Sequence, residues 1–514
     1  MTKSFLLGID IGTYSSKGVL VDSNSGEIKA THSVEHNISM PKPSWVEHDA
    51  ETIWWKEFVE ICHQLLDQTG IDPKEIKGIG ISAIGICVLP INKDGKPLRP
   101  AILYGIDTRS TKEITELEKI IGKENIFKNS GAYLSSQAAG PKILWIKNHE
   151  PDIYKHTRYF LTSQSYLVYR LTDQATIDVY TASGNSPLFD IHRNEWLKSV
   201  TPFITPAENL PKIKWSCEVT GLVTAKAAKE SGLVQGTPVI TGTTDAAAEA
   251  ISCGLAEPGD MMMMFGSSIF FILKTENLIP TKHFWSATWL ESNSYALLGG
   301  MSTSGSLTRW FRDNFSQKEL ADQNAGGQNA YAALGKLLAE STLGANGLIV
   351  LPYFEGERTP LLDPEAKGLL FGLSLKHTRA DVYRALLESI GYGIKHNLVT
   401  MREENGEAKK IIGVGGGTKN LEWMQMVCDI SNIEMVIPRE QIGASYGDAF
   451  MAGVGVGLYK SLSENYKWVQ MKEHLYPNPD HTKKYEHYYK IFRELYVSTA
   501  PQMHELSKLI RDGS

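Results

Sequence analysis

Three short stretches of this 514-residue chain combine glycine with hydroxyl residues, two of them also with an acidic residue, in spacings that suit phosphate chemistry. The first, LLGIDIGTYSSKGVLVD (Leu6–Asp22), holds its polar residues between two apolar runs: Asp10, Gly12, Thr13, Ser15 and Ser16. Leu6–Ile9 and Val19–Val21 are predicted strands, so the segment between them is a predicted hairpin turn. Either the acidic residue and the glycine simply shape a tight turn, or the turn binds phosphate.

The phosphate interpretation gives each residue type a task. Gly12 lets the main chain approach phosphate oxygens, and the hydroxyl groups donate hydrogen bonds to them. Asp10 holds hydrated Mg²⁺, because a hard ion that keeps its waters needs only one or two carboxylates.

The second stretch, TPVITGTTDAAAEA, places Asp245 between a predicted buried strand and a predicted helix. One interpretation is a helix N-cap, a position that aspartate favours. The other is a general base, because phosphoryl transfer to an alcohol requires one carboxylate that accepts the hydroxyl proton. Downstream, FGSS repeats the small and hydroxyl pattern with Gly266, Ser267 and Ser268, although a simple turn also explains it.

The third stretch, IIGVGGGTKN (Ile411–Asn420), ends an apolar run in Gly415, Gly416 and Gly417. Strand ends that collect such residues are where open α/β sheets bind ligands. A dinucleotide-binding G-x-G-x-x-G is not matched, because Thr418 occupies the last glycine position. No P-loop and no H-E-x-x-H motif occurs, and the stretch GGMSTSGS does not fit the G-x-S-x-G pattern.

The elements that position these residues are predicted to alternate between strands and amphipathic helices, which indicates an α/β fold. A net charge of −6 gives no reason to bind nucleic acid. The five cysteines are far apart in the sequence, which favours a reducing cytoplasm over a disulfide framework. The longest apolar tract, Met261–Leu273, is too short for a bilayer span, so we expect no membrane association.

Near the C-terminus, KKYEHYYKIFRELYVSTAPQ carries aromatic residues at helical spacing. Such a stripe is typical of a face that docks against the core rather than of a ligand site. The aromatic residues are Tyr485, Tyr488, Tyr489, Phe492 and Tyr496.

Further stretches resemble the FGGY carbohydrate kinases of the actin-like ATPase superfamily, and within them the xylulose-kinase-like members. GLLFGLSLKHTRADVYRALLES (Gly368–Ser389) fits the C-terminal signature of the family through residues that include Gly372, Asp381 and Glu388. The Lys-x-x-Trp of AGPKILWIKNHEP and the stretch PSWVEHDAETIWW are also similar to family segments. The similarity runs from about Leu6 to about Tyr459.

The resemblance implies two actin-like (ribonuclease H-like) domains with a cleft between them. An N-terminal domain over residues 1–248 would carry the sugar side and the first hairpin, and a C-terminal domain over 249–514 the nucleotide side. ATP and Mg²⁺ are the implied cofactors, a small sugar is the implied substrate, and a homodimer is the expected assembly.

Carried over by position, the resemblance makes Asp245 the catalytic base beside the sugar and Asp10 the residue that positions Mg²⁺. Three groups would contact the nucleotide or its phosphates, and Asn420 would lie near the adenosine unless it is only a surface loop residue. The three groups are Gly12, Thr13, Ser15 and Ser16, then Gly266, Ser267 and Ser268, then Gly415, Gly416 and Gly417.

The sugar-binding elements depart from the xylulose kinase pattern. GISAIGICVLP (Gly80–Pro90) has Ile84, Gly85 and Ile86 where those kinases carry Gln-Met-His, so a histidine that bonds a sugar hydroxyl is missing. In YGIDTR, Asp107 and Arg109 are either sugar ligands or a structural ion pair.

We predict an ATP-dependent kinase of a small sugar, with a ketopentose such as xylulose as the first candidate. A hexulose, a polyol or an aldonate is the alternative substrate. The alternative functions are an inactive nucleotide-binding regulatory protein of the same fold and, from the glycine run alone, a dehydrogenase.

Overall fold

The computed structural model describes residues 3–512, which contain two seven-stranded mixed β-sheets. Contacts along the chain define two compact units, and each unit is built from separate stretches. The first unit comprises Met1–Glu257, Glu276–Ala296 and Glu440–Gln470, and the second comprises Pro258–Thr275, Leu297–Arg439 and Met471–Ser514. A domain division at residue 248 stays a prediction.

The large sheet of the first unit centres on the Phe5–Ile11 strand. This strand pairs antiparallel with the strand that follows it and parallel with Ile76–Ala83. Across the sheet the order is Val219–Leu222, Pro238–Ile240, Ile76–Ala83, Phe5–Ile11, Ser15–Asp22 and Ile28–Glu35, and Thr243–Thr244 also pairs with Ile76–Ala83. Shorter strands form small two-stranded sheets: Glu47–His48, Leu89–Ile91, Ala101–Ile102, Tyr159–Leu161, Thr176–Asp178, Phe189–Asp190, Glu195–Trp196 and Lys212–Lys214.

The predicted N-terminal hairpin is present, but its predicted extent is wrong. Asp10 pairs with Lys17 and Ile11 pairs with Ser16, so the acidic residue and both serines lie within strands. Only residues 12–14 form the turn. The ladder continues past the apolar runs because backbone hydrogen bonds, unlike side-chain hydrophobicity, do not end where polar residues begin.

Helices cover the sheet of the first unit. Lys56–Thr69 begins directly after a π-helical segment, Ala50–Trp55, and packs against the outer strands with Phe58, Ile61 and Leu65 buried. The other helices of this unit are Thr111–Ile121, Lys123–Ser130, Ala139–His149, Pro151–His156, Ser163–Thr172, Val179–Ser183, Thr201–Ile204, Ala225–Ser231, Asp245–Ser252 and Ala444–Gly455.

The Ala444–Gly455 helix lies unusually close to the sheet. A Cβ atom added to Gly8 would lie 1.9 Å from the Ser445 carbonyl oxygen, and one added to Gly80 would lie 2.0 Å from that of Asp448. Two central strands therefore need glycine where the helix crosses them. This contact brings the helix, with Asp448 on it, against the core strands.

The sheet of the second unit repeats the central arrangement of the first. Its Asp260–Phe265 strand pairs antiparallel with Ile269–Thr275 and parallel with Lys410–Val414. The strands of this sheet in the second unit run in the order Tyr295–Met301, Ile269–Thr275, Asp260–Phe265, Lys410–Val414, Glu434–Pro438 and Met471–Leu475. A separate pair joins Ile349–Leu351 to Leu369–Phe371.

The helices of the second unit include the family-like signature and the aromatic stripe. Arg379–Glu403 is almost wholly buried, and a capping box between Thr378 and Asp381 begins it. Pro479–Asp512 docks Tyr485, Tyr489 and Phe492 into a core cluster, which confirms the predicted docking face. The remaining helices are Gly305–Phe315, Gln317–Asn324, Ala330–Leu337 and Leu421–Ser431. Within residues 3–512, no helix has the length and apolar character that a bilayer span requires.

We predict that Gly80→Ala lowers the free energy of unfolding by about 3 kcal/mol, because the new methyl group overlaps the Asp448 carbonyl. Gly335→Ala is the matched control. It lies in the Ala330–Leu337 helix with no atom within 4 Å of an added Cβ, so we expect it to stabilise the protein by up to about 1 kcal/mol. Urea unfolding of both variants measures the difference, and equal stabilities would contradict the close-packing argument.

Candidate active site

The turn of the N-terminal hairpin is tight. The Gly12 amide donates to the Ser15 carbonyl at 2.9 Å, and a Cβ atom on Gly12 would lie 2.8 Å from that oxygen. Thr13 Oγ1 lies 3.3 Å from the Tyr104 hydroxyl, and Ser15 is exposed. Ser16 is fully buried and donates to Glu57 Oε2 at 2.5 Å, so its hydroxyl supports the hairpin from inside.

Carboxyl groups gather beside this hairpin. Asp10 is on the central strand, Asp245 and Glu249 are on the Asp245–Ser252 helix, and Asp448 is on the closely packed Ala444–Gly455 helix. The Ser82 hydroxyl lies 3.0 Å from Asp10 Oδ1 and 2.7 Å from Asp448 Oδ2. One serine therefore joins two carboxyl groups that come from different elements.

Burial and mutual repulsion raise the pKa values of these clustered carboxyl groups. Burial raises the pKa of Asp10 well above its usual range, and the charge of Asp245 adds to the shift. Burial raises the pKa of Asp245 to about 6, and burial together with Asp245 raises the pKa of Glu249 to about 7. Lys17 opposes the shifts of Asp10 and Glu249. The group therefore favours uptake of a proton or a cation.

Asp245 is not the N-cap of its helix. Thr244 occupies the cap position with extended backbone angles, and Asp245 is the first helical residue. Its Oδ1 accepts the Ala246 amide at 2.7 Å. The N-cap interpretation of the sequence is therefore wrong, and the carboxylate lies within the acidic group.

The donor atoms near Asp10 fit magnesium better than a softer metal, because carboxylate oxygens and a serine hydroxyl are hard ligands. Among residues 3–512, no group of three or more His, Cys, Asp or Glu side chains is arranged to bind a metal ion. An ion held here would keep most of its waters and rely on one or two carboxylates, as Mg²⁺ does.

In the second unit, the structure brings together the other two predicted nucleotide-binding stretches. The turn Gly266–Ser268 follows Asp260–Phe265, and the glycine run follows the neighbouring parallel strand Lys410–Val414. Gly415 has a φ of +91°, and a Cβ atom on it would lie 2.9 Å from the Phe265 carbonyl oxygen. Glycine is therefore required for the two strand ends to lie side by side.

Asn420 has a structural task at the end of the glycine run. It is the N-cap of Leu421–Ser431, and its Oδ1 accepts the Trp423 amide at 3.0 Å. It is half-buried, so it differs from a free surface loop residue. Proximity to adenosine stays a prediction.

Asp107 and Arg109 bond to each other, and both side chains are fully buried. Arg109 Nη2 lies 2.6 Å from Asp107 Oδ2, and Nη1 lies 2.8 Å from Glu47 Oε1. The guanidinium also covers the Trp45 ring, with its carbon 4.1 Å from the ring centroid. This arrangement favours the structural ion pair over direct sugar contact.

Sequence reasoning missed several members of the site. Glu249 and Asp448 belong to the cluster of acidic side chains, and Ser82 donates hydrogen bonds to two of its members. Glu57 accepts a hydrogen bond from Ser16 of the hairpin. Ser82 ends an apolar strand and Asp448 follows a glycine in a small-residue helix, which are weak signals without the pairing of the strands. Only the fold shows that these residues converge.

Two mixed sheets with the same hairpin at their centres, and with glycine and hydroxyl turns at the strand ends, define a two-domain phosphoryl-transfer fold. The family models described as "FGGY family of carbohydrate kinases, N-terminal domain" and "C-terminal domain" match residues 5–252 and 261–456. The chain belongs to the FGGY family of carbohydrate kinases. It is a phosphotransferase with an alcohol group as acceptor and ATP as phosphate donor, and the predicted α/β class with two domains is confirmed.

Relatives cover nearly the whole chain. A xylulose kinase of Staphylococcus xylosus is 28% identical over 96% of this chain and 100% of its own. A glycerol kinase of Shewanella sp. (strain ANA-3) is 30% identical over 94% of this chain and 97% of its own. The crystal structure of xylulose kinase from Rhodospirillum rubrum is 27% identical with a TM-score of 0.89, over 97% of this chain and all of that one.

We predict that Arg109→Met costs about 3–5 kcal/mol of unfolding free energy, because it leaves the buried Asp107 carboxylate without its cation, although Glu47 keeps its pair with Arg99. Arg193→Met is the control, since its pair with Glu195 is exposed and 3.8 Å long. We expect that control to change stability by less than about 1 kcal/mol. Thermal and urea unfolding compare the two, and a small loss for Arg109→Met would argue against a structural pair.

Proposed function

We propose that this kinase phosphorylates a ketopentose such as xylulose, with Asp245 as its general base. The observation that supports this most directly is the position of Asp245 at the start of a helix, within a buried group of carboxyls that includes the metal candidate Asp10. Burial raises the pKa of Asp245 to about 6, although the Ala246 amide acts against this shift, so Asp245 is a stronger proton acceptor than an exposed aspartate.

In the proposed reaction, Asp245 accepts the proton of the sugar hydroxyl as that oxygen bonds to the γ-phosphorus of ATP, the bond from this phosphorus to the β,γ-bridging oxygen breaks, and ADP leaves. Gly12, Thr13 and Ser15 contact phosphate oxygens, while the buried Ser16 supports the turn through Glu57. In the second unit, the turn Gly266–Ser268 and the run Gly415–Gly417 allow the backbone to approach the nucleotide. Asn420 begins the helix that follows this run.

We propose that Asp10 positions Mg²⁺, directly or through its waters. Bound there, the ion would neutralise phosphate charge during transfer. Ser82 fixes the direction of the Asp10 carboxylate through its hydrogen bond. A cation would also offset the repulsion among the neighbouring carboxyl groups.

The choice of xylulose follows the names of the relatives, and two features leave room for other substrates. Ile84 is buried where xylulose kinases carry a polar element, and the paired Asp107 and Arg109 have few free hydrogen-bonding atoms. A relative named glycerol kinase, at 30% identity, makes a polyol the second candidate. A hexulose or an aldonate is a further alternative.

We also propose a cytoplasmic location and a homodimer. No disulfide links the five cysteines among the described residues, which suits a reducing compartment.

We predict that Asp245→Asn lowers kcat by about 10²–10⁴-fold, because the amide cannot accept the hydroxyl proton. The affinity for ATP should stay within about twofold, since binding of the nucleotide does not need the base. Asp173→Asn is the control: it removes an exposed carboxylate at the end of the Ser163–Thr172 helix, a residue with no proposed part in catalysis. Turnover of Asp245→Asn at the rate of the unmodified enzyme would disprove the assignment.

A substrate screen tests which sugar the enzyme phosphorylates. ADP release by the purified protein should be stimulated most by D- or L-xylulose among ketopentoses, hexuloses, polyols and aldonates. Faster ADP release with glycerol or with an aldonate would show that the preferred substrate is a polyol or an aldonate and not xylulose. No stimulation by any of these compounds would support the inactive regulatory alternative instead.

A further inference from the structure

The turn of the N-terminal hairpin has its carbonyl oxygens held from one side by His36. The His36 ring Nε2 lies 3.2 Å from the Gly12 carbonyl oxygen, and the His36 main-chain amide donates to the Tyr14 carbonyl at 2.9 Å. One residue, placed directly after the outer strand Ile28–Glu35, therefore contacts both ends of the three-residue turn.

His36 is itself held by a buried carboxylate. Its Nδ1 lies 2.9 Å from Glu57 Oε2, the oxygen that also accepts the Ser16 hydroxyl. The two side chains are only 5% and 8% exposed. Because the Gly12 carbonyl can only accept, Nε2 must carry a proton and donate.

A second histidine fixes the plane of this ring. His48 is fully buried and packs edge to face against His36, with 5.0 Å between ring centroids. Its Nδ1 accepts the Trp54 indole N–H at 3.2 Å. Burial, followed by the neighbouring His36, lowers the pKa of His48 to about 4, while the Thr13 backbone and Glu57 act against this shift. His48 is therefore a neutral support.

Peptide geometry links these contacts to the phosphate side of the hairpin. In a trans peptide, the carbonyl of one residue and the amide of the next lie in one plane and point in opposite directions. Holding the Gly12 carbonyl towards His36 therefore directs the Thr13 amide away from it. Within residues 3–512, neither the Thr13 nor the Tyr14 amide donates a hydrogen bond to the protein.

The second unit holds its own hairpin in the same way with different groups. The amide of Gly305 donates to the Gly266 carbonyl at 2.9 Å. The amides of Ser304 and Ser306 donate to the Ser267 carbonyl at 2.9 and 3.0 Å. These donors belong to the start of the Gly305–Phe315 helix. The same constraint thus occurs twice in the chain, once from a helix N-terminus and once from a histidine.

We propose that His36 is a positioning residue for ATP: anchored by Glu57, it holds the Gly12 carbonyl so that the Thr13 amide faces the phosphates. This inference deepens the proposed function and rests on it. It assigns a role in nucleotide binding to a residue that contacts the turn from the side of the Gly12 carbonyl, opposite the Thr13 amide.

The test compares two side chains of similar length at one position. His36→Gln keeps an N–H donor that reaches Gly12, whereas His36→Met keeps the bulk and loses the donor. We expect the KM for ATP to rise about tenfold in His36→Met and to stay within twofold in His36→Gln, since a lost hydrogen bond is worth up to about that factor. The KM for the sugar should change less than twofold in both variants.

His32→Met is the matched control. His32 lies four residues earlier, within the Ile28–Glu35 strand, where it pairs with Gly18 and lies 3.9 Å from Glu60. It is not paired with the turn at residues 12–14, so the KM for ATP of this variant should not change. Equal KM values for ATP in His36→Met and in the unmodified enzyme would overturn the proposal. So would an equal rise in both His36 variants, which is what a merely structural role predicts. If the Met variant is too unstable to assay, a raised KM in His36→Gln alone contradicts the proposal, and an unchanged one supports it.

The variant Thr13→Val distinguishes a failure of this inference from a failure of the proposed function on which it rests. If Thr13→Val, which removes the hydroxyl, and His36→Met, which releases the amide, both leave the KM for ATP unchanged, the hairpin does not contact the nucleotide and the proposed site fails. If Thr13→Val raises that KM while His36→Met does not, the hairpin binds ATP without help from His36.

Discussion

The repulsion among buried carboxyl groups in the first unit is the constraint on which its active-site architecture depends. Asp10, Asp245, Glu249 and Asp448 come from three different elements; Asp448 is fully buried and the other three are half-buried. Bringing them together costs free energy unless protons, hydrogen-bond donors or a cation offset the charge. A fold that holds these carboxyl groups close together therefore creates a site that strongly attracts a proton or a cation.

The sheet and its helices supply the rigidity that this repulsion requires. Glycines at Gly8 and Gly80 let the Ala444–Gly455 helix lie against the central strands at a distance that no larger residue allows. Ser82 then joins the carboxyl groups of Asp10 and Asp448. Because no side chain separates the helix from the strands at these two glycines, Asp448 on the helix comes close to Asp10 on the strand.

The sequence predicted the local features of this protein better than the convergent ones. The hairpin, the glycine run and the docking face of the C-terminal helix each depend on a few neighbouring residues, and each is present. The end of the first strand was misplaced, because pairing with Lys17 and Ser16 continues through polar residues. Asp448 and Glu57 were missed because their roles depend on residues hundreds or tens of positions away, which no local pattern records.

The resemblance to the family supplied roles that physical reasoning on single residues left open. For Asp245 the local alternative was an N-cap, and the structure assigns that position to Thr244. For Asp107 and Arg109 the structure favours the alternative that the sequence had kept beside sugar binding, because the two charges are buried against each other. Family likeness thus identifies a position more reliably than it identifies the atoms that the position contacts.

The two hairpins differ in how easily natural variation can alter them. In the second unit the turn is fixed by main-chain amides, which every amino acid except proline supplies, so most substitutions there leave the restraint in place. In the first unit the Gly12 carbonyl depends on one imidazole. A single substitution at position 36 can therefore alter the first hairpin while the second keeps its main-chain restraint, so only one of two similar turns can be adjusted through a side chain.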